Sequence, residues 1–166
     1  MIELLVLDVD GCMTDGSITY TNALDEAKSF NVKDGFAIVQ WLRLGKKVAI
    51  ITGRTSKIVE YRAKELGIPY LYQRVQRKEE KLFELCQKLS IPLENVAAIG
   101  DDLNDYRLLK LTGLSFAPVD AIDFIKENVD VVLSKGGGKG AVREMIEYLL
   151  QQEGLYEEYL SFWIGE

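Results

Sequence analysis

At 166 residues the chain has room for about one folded domain, and 48% hydrophobic with 28% charged residues and only three prolines excludes disorder and low complexity. A formal charge of -6 argues against nucleic acid or an anionic membrane surface as the partner, and the absence of histidine excludes imidazole-dependent triads and His-based zinc sites, leaving carboxylates as the natural acids and bases. Cys12 and Cys86 form no C-x-x-C pair and suit a reducing cytoplasm, while the start of the chain has no leader pattern and no apolar run nears the ~18 residues of a membrane span.

The first predicted strand, Glu3 to Val9, is mostly Leu and Val, the pattern of a strand buried on both faces of a parallel sheet. It runs out into Asp8-Val9-Asp10-Gly11, and a carboxylate ending a core strand is costly to bury unless it is paired or holds a metal. Residues two apart in an extended segment share a side, so Asp8 and Asp10 are expected to converge on one cation, with Asp15 close by. All-oxygen donors suit Mg²⁺. The plain alternative is an acidic turn after a strand.

Ser17 to Thr21 and Lys28 to Val32 read as a hairpin around the polar turn Asn22 to Glu26, either peripheral or standing as a small flap over the acidic loop. Asp34 is placed to cap a helix with Phe36, Ile38, Val39, Trp41 and Leu42 on its apolar face and Gly45 at its end. A second core strand, Lys47 to Ile51, leads into Thr52-Gly53-Arg54 and a helix from Ser56 to Leu66. Tyr70 to Gln73 is a third strand and Lys78 to Leu89 a helix. The fourth strand, Val96 to Ile99, ends in Gly100-Asp101-Asp102-Leu103-Asn104-Asp105 before a helix through Leu111. Strands at Leu114 to Ala117 and Val129 to Leu133 enclose a helix near Ala121 to Glu127. Gly136 to Gly140 then opens the helix Ala141 to Gln151; lacking the G-x-x-x-x-G-K-S/T pattern, it reads as a flexible turn beside the site. Residues 153–166 form an aromatic tail, by pattern an amphipathic helix on its own domain.

This alternation predicts an α/β fold with a doubly wound, mostly parallel sheet, whose ligand lies outside the carboxyl ends of the strands. Those ends carry Asp8, Asp10, Thr52, Asp101 and Asp102, and Lys78 opens the helix after the third strand. The set fits phosphoryl transfer from a phosphomonoester through an aspartyl-phosphate: one carboxylate attacks, a second protonates the leaving oxygen, and cation, lysine and hydroxyl neutralise the phosphate. The cation is needed because carboxylate and phosphate repel one another.

Asp8-Val9-Asp10-Gly11 followed by Thr14, then Thr52, Lys78 and Gly100-Asp101-Asp102, resembles the four motifs of the haloacid dehalogenase superfamily of phosphatases. The resemblance implies Asp8 as nucleophile and Asp10 as general acid/base, with Thr52 and Lys78 as the phosphate clamp. It implies Asp8, the Asp10 carbonyl and Asp101 as Mg²⁺ ligands, supported by Asp102 and Asp105. Phe30 to Gly35, Ile51 to Arg54, Arg62-Ala63 and Gly136 to Glu144 are similar to the 3-deoxy-D-manno-octulosonate 8-phosphate phosphatase family, small enzymes without a large cap that form tetramers and serve lipopolysaccharide synthesis. That likeness implies a sugar phosphate as substrate, met by Asp10, Asn31, Val32, Lys33, Asp34, Gly35, Arg54, Arg62 and Lys78. Guanidinium groups suit a phosphate and a sugar-acid carboxylate. For Arg54 and Arg62 the plain reading is surface pairing with acids such as Glu60 or Glu65.

The chain departs from the family pattern at Gln73-Arg74, where Gln-Gly is frequent, and at Arg77, where an acid is common. In the family a tail like 153–166 can reach a neighbouring subunit's active site. The related phosphatases of nine-carbon sialic-type sugar phosphates share these motifs. Receiver domains also join an acidic cluster, a Thr and a Lys to a parallel sheet, but no acid is expected two residues after their phosphorylated Asp.

Overall fold

The computed structural model describes residues 1–165. In chain order it consists of β1 (Leu4–Leu7), the hairpin strands β2 (Thr19–Tyr20) and β3 (Glu26–Ala27), α1 (Val32–Arg43), β4 (Lys47–Ile51), α2 (Lys57–Leu66), β5 (Tyr70–Tyr72) and α3 (Lys78–Leu89). Then follow β6 (Val96–Ile99), α4 (Tyr106–Leu111), β7 (Leu114–Ala117), α5 (Asp123–Lys126), β8 (Val131–Val132), α6 (Ala141–Gln152) and α7 (Tyr156–Ile164). The central sheet has six strands in the order β5-β4-β1-β6-β7-β8, every neighbouring pair parallel. The chain builds outward from β1 to β5, then returns to lay β6 on the other flank of β1. The carboxyl end of β1 is therefore a topological switch point, where an open α/β sheet leaves a crevice.

Alternation along the strands feeds two cores. Leu5, Leu7, Val48 and Ile50 pack with Ala37, Ile38 and Trp41 of α1 and Val142, Met145 and Ile146 of α6. On the opposite face, Leu4, Val6, Ala49 and Ile51 pack with Leu82 and Leu85 of α3 and Leu108 and Leu109 of α4. Burying each such side chain contributes roughly 1.5–3 kcal/mol relative to exposure, and this burial offsets the cost of polar groups at the strand ends.

Several boundaries differ from the sequence expectation. The N-cap of α1 is Asn31, whose side chain accepts from the Lys33 and Asp34 backbone N–H groups. The apolar periodicity starting at Phe36 marks the buried face and not the helix start. Asp34 instead accepts from the Arg143 backbone N–H at 2.8 Å, in the first turn of α6. In the hairpin, Thr19 pairs with Ala27 and Tyr20 with Glu26, so its second strand precedes the predicted Lys28 to Val32, and Val32 already belongs to α1. At the far side of the sheet β8 shrinks to two residues and α5 to four, away from the buried strands that sustain longer elements.

The tail forms α7, packed on α1 of the same chain. Tyr159 is buried, the Trp163 indole N–H donates to Gln40 Oε1 at 3.2 Å, and the Arg43 guanidinium lies 3.9 Å from the Phe162 ring centroid. Glu166, the last residue of the predicted tail, lies outside the described residues. Among the described residues no helix is long and apolar enough to cross a membrane.

Candidate active site

Asp8 follows the last residue of β1 and is buried. Lys78, the first residue of α3, donates from Nζ to Asp8 Oδ1 at 2.8 Å and to Asp105 Oδ1 at 2.6 Å, with the lysine side chain 1% exposed. The other oxygen of Asp105 accepts from the backbone N–H groups of Asp101 at 2.9 Å and Asp102 at 3.2 Å. Asp102 in turn accepts from the Leu103 N–H at 2.7 Å and caps the short turn Leu103–Asp105. Asp102 and Asp105 thus shape the loop that carries Asp101 after β6. Gly11 leaves room for it: its φ is +94°, and a Cβ there would lie 1.8 Å from Asp101 Oδ2.

The charges in this cluster do not balance. Burial and then the Asp105 charge push the Asp8 carboxyl up to about 6, against the opposing pull of Lys78. Burial, followed by Asp8 and Asp105, pushes Asp101 up to about 8. Burial works against the charge on Lys78, yet Asp8 and Asp105 hold it protonated well above the ordinary lysine range. The one lysine pairs with Asp8 and Asp105 and leaves Asp101 without a cation partner among the described residues, an excess that a bound cation would relieve.

Asp8, Cys12 and Asp101 offer ligand atoms within 4.8 Å of one another. Burial and the nearby Asp8 and Asp101 charges push the Cys12 thiol up, so it stays protonated and is a poor donor to a hard ion. The carboxylates of Asp8 and Asp101 fit an oxygen-seeking divalent cation. The Asp10 carboxylate does not join them, contrary to the expected convergence. Beyond Asp8 the chain leaves the extended form for the turn Val9–Met13, which breaks the two-residue period. Asp10 Oδ1 pairs instead with Lys28, and Oδ2 lies 3.9 Å from Arg54 Nε.

Asp8, Asp10, Thr52, Arg54, Asp101 and Asp102 share one cavity of about 170 Å³ at the carboxyl ends of β1, β4 and β6, with Gly53 and Asn104 on its wall. Thr52 is buried and fixed by its backbone, donating to the Tyr72 carbonyl and accepting from the Val75 N–H, both at 3.0 Å. Arg54 does not pair with Glu60; its NH2 lies 3.2 Å from Glu26 and 3.4 Å from the Tyr20 hydroxyl, so the hairpin reaches the cavity rim. Sequence reasoning missed Tyr20, Glu26 and Lys28. An acid and a lysine two residues apart in a hairpin arm next to an acidic loop were the signal available. The glycine loop backs the acidic turn from behind, with the Gly138 N–H donating to the Cys12 carbonyl at 3.1 Å.

The other predicted substrate contacts gather elsewhere. Asn31, Val32, Lys33, Asp34 and Gly35 form the first turn of α1, and Arg62 reaches them from α2, its NH2 lying 3.4 Å from the Asn31 carbonyl. Arg62 also pairs with Glu65 at 3.2 Å. None of these six lines the cavity around Asp8.

A family model described as haloacid dehalogenase-like hydrolase matches residues 71–146. The 3-deoxy-D-manno-octulosonate 8-phosphate phosphatase of Escherichia coli is 45% identical over 157 residues, spanning 95% of this chain and 84% of the relative. The structure of the Moraxella catarrhalis phosphatase of that name, in complex with a magnesium ion, a phosphate ion and a Kdo molecule, superposes with a TM-score of 0.95 at 37% identity, covering 97% of this chain and 92% of that one. The cobalt-bound Haemophilus influenzae phosphatase gives a TM-score of 0.90 at 39% identity, covering 93% and 91%.

Proposed function

Because the chain belongs to the 3-deoxy-D-manno-octulosonate 8-phosphate phosphatase family of haloacid dehalogenase-like hydrolases, we propose that its Asp8 cavity is where 3-deoxy-D-manno-octulosonate 8-phosphate is split into the free sugar acid and phosphate. The observation that carries the residue assignment is the buried Lys78 clamped between Asp8 and Asp105, next to the cavity that Asp8 and Asp101 line at the switch point of the sheet.

In this reading an Asp8 carboxylate oxygen attacks phosphorus and Asp10 gives a proton to the leaving sugar oxygen, so an aspartyl-phosphate forms as the P–O bond breaks. Asp10 then takes a proton from the water that opens the acyl phosphate, returning both carboxyl groups to their starting state. Lys78 orients Asp8 and offsets phosphate charge, and the Thr52 hydroxyl donates to a phosphoryl oxygen. Asp8, Asp101 and the Asp10 carbonyl would hold Mg²⁺, which supplies charge neutralisation between carboxylate and phosphate. One related structure holds a magnesium ion and another holds cobalt, and the oxygen donors here favour the harder ion.

We further propose a homotetramer working in the cytoplasm. The cavity at Asp8 is small, and in the second group of predicted substrate contacts Val32 and Lys33 are exposed, Val32 by 80%, while Asp34 and Gly35 are buried beneath them. A neighbouring subunit that brings this group over the cavity supplies the carboxylate-binding side of the site. The direct test is phosphate release from the eight-carbon sugar phosphate with Mg²⁺, with EDTA, and with Asp8→Asn. Release is expected only for the metal-loaded parent protein; full turnover by Asp8→Asn would overturn the nucleophile assignment.

A further inference from the structure

The hairpin supplies nothing that touches phosphate in the reading above, yet its side chains end on Asp10. Lys28, just beyond β3, has a fully buried side chain whose Nζ pairs with Asp10 Oδ1 and lies 3.5 Å from Glu26 Oε1. Glu26 also takes Arg54 NH2 at 3.2 Å, and Arg54 Nε lies 3.9 Å from Asp10 Oδ2. Asp10 thus faces two cations of different character. The Arg54 side chain is 44% exposed, while that of Lys28 is 0% exposed. A guanidinium open to solvent can turn to an arriving anion. A buried ammonium between two carboxylates has no such freedom, since leaving either acid strands a charge out of water.

We propose that Lys28 is a positioning residue for Asp10. By occupying Oδ1 it fixes the carboxyl plane and reserves Oδ2, on the Arg54 side where the cavity lies, as the oxygen that carries the proton to the leaving group. Glu26 anchors Lys28 in that place and holds Arg54 at the rim. As the P–O bond cleaves, its electron pair goes to the sugar oxygen, which takes the proton from Oδ2 and leaves Asp10 as a carboxylate beside Lys28. The hairpin is therefore part of the proton-transfer geometry and not only a cover. This inference rests on the reading of Asp10 as the general acid.

The test compares two esters on the same enzyme preparation: the sugar phosphate, whose alkoxide must be protonated as it leaves, and p-nitrophenyl phosphate, whose phenolate leaves without help. General acid catalysis is worth roughly 10²–10⁴-fold, so misplacing Asp10 costs the alkyl ester far more than the aryl ester. Lys28→Met is expected to lower kcat/KM, which reads only the steps through formation of the aspartyl-phosphate and not its hydrolysis common to both esters, at least about tenfold more on the sugar phosphate than on the aryl phosphate. Misfolding lowers both in proportion and leaves their ratio at the parent value, so the ratio reads position and not the amount of folded protein. A parental ratio in Lys28→Met, with Asp10→Asn showing the selective loss, would overturn the role of Lys28 alone. Equal losses on both esters in Asp10→Asn would overturn the general-acid reading, and the proposal with it.

Discussion

At the scale of single residues, Lys78 shows how burial turns an ordinary charge into a determinant. Lys78→Met removes the cation shared by Asp8 and Asp105 and leaves two carboxylates facing each other out of water. Breaking a buried ion pair from one side costs about 3–5 kcal/mol, and losing one preorganised donor to a reacting group costs about 10²–10³-fold in kcat. Urea denaturation and steady-state rates are expected to show both losses together. The same cluster sets a pH dependence. Asp8 is pushed up to about 6 and Asp101 to about 8 from an ordinary 3.8, so the metal-free folded protein holds protons that the unfolded chain has released. Its stability therefore falls as pH rises between about 4 and 8. A divalent cation replaces those protons, and the gain in Tm on adding Mg²⁺ to EDTA-treated protein is expected to be larger at pH 8 than at pH 5. An Mg²⁺ effect independent of pH would contradict it. The acids and Lys78 were legible in the sequence because each stands at a strand end or helix start in a recognisable order. Lys28 was not, because its importance comes from a contact with Asp10 across 18 residues and from a hairpin register that alternation alone misplaced.

At the scale of elements, helix ends decide more than helix middles. The apolar spacing from Phe36 onward identified α1, but its start was hidden because Asn31 caps it and its exposed first residue, Val32, contributes nothing to the apolar face. Asp34, freed from that duty, accepts from a backbone N–H of α6 across 109 residues, a contact that no local pattern reveals. Asp34→Ala is expected to cost about 0.5–2 kcal/mol, as for a lost N-terminal cap, and Asp34→Asn less because an acceptor remains. Burial pushes the Asp34 carboxyl up to about 6, against the Arg143 N–H and the Arg62 charge, so as an acid it draws stability down as pH rises from about 4 to 6. Asp34→Asn should remove that part of the slope, read as a flatter curve of unfolding free energy over this range. The other end of a helix offers the opposite sign. Ser90 closes α3 with φ 54° and ψ 42°, a left-handed conformation that glycine adopts without strain. Ser90→Gly is expected to stabilise by about 0.5–1 kcal/mol with unchanged turnover. Arg74 holds φ 56° where the family pattern often has glycine, so this departure changes the side chain while the backbone keeps the turn.

At the scale of the whole molecule, the doubly wound sheet was legible because strand and helix periods alternate cleanly, but the separation of the predicted substrate contacts into two groups was not, since it depends on how the start of α1 packs against α2 and α6. The fold brings Asp8, Asp10, Thr52, Arg54 and Asp101 to one cavity, while Asn31 to Gly35 with Arg62 lie outside its lining. Beside that second group run Val32, Phe162, Trp163 and Ile164, exposed by 80%, 60%, 53% and 60%. Large apolar side chains left together on a surface mark an interaction face more often than free solvent. Packing α7 on its own α1 creates this face. If assembly completes the site, Val32→Glu, which sets a charge in the apolar strip without touching the Asp8 cavity, separates the two functions. Sedimentation is expected to show a shift to monomer, and KM for the sugar phosphate to rise severalfold while the rate on p-nitrophenyl phosphate, which needs no carboxylate pocket, changes little. A monomeric variant with an unchanged KM would mean that one chain binds the sugar acid by itself, and Arg54 would then be the residue left to do so.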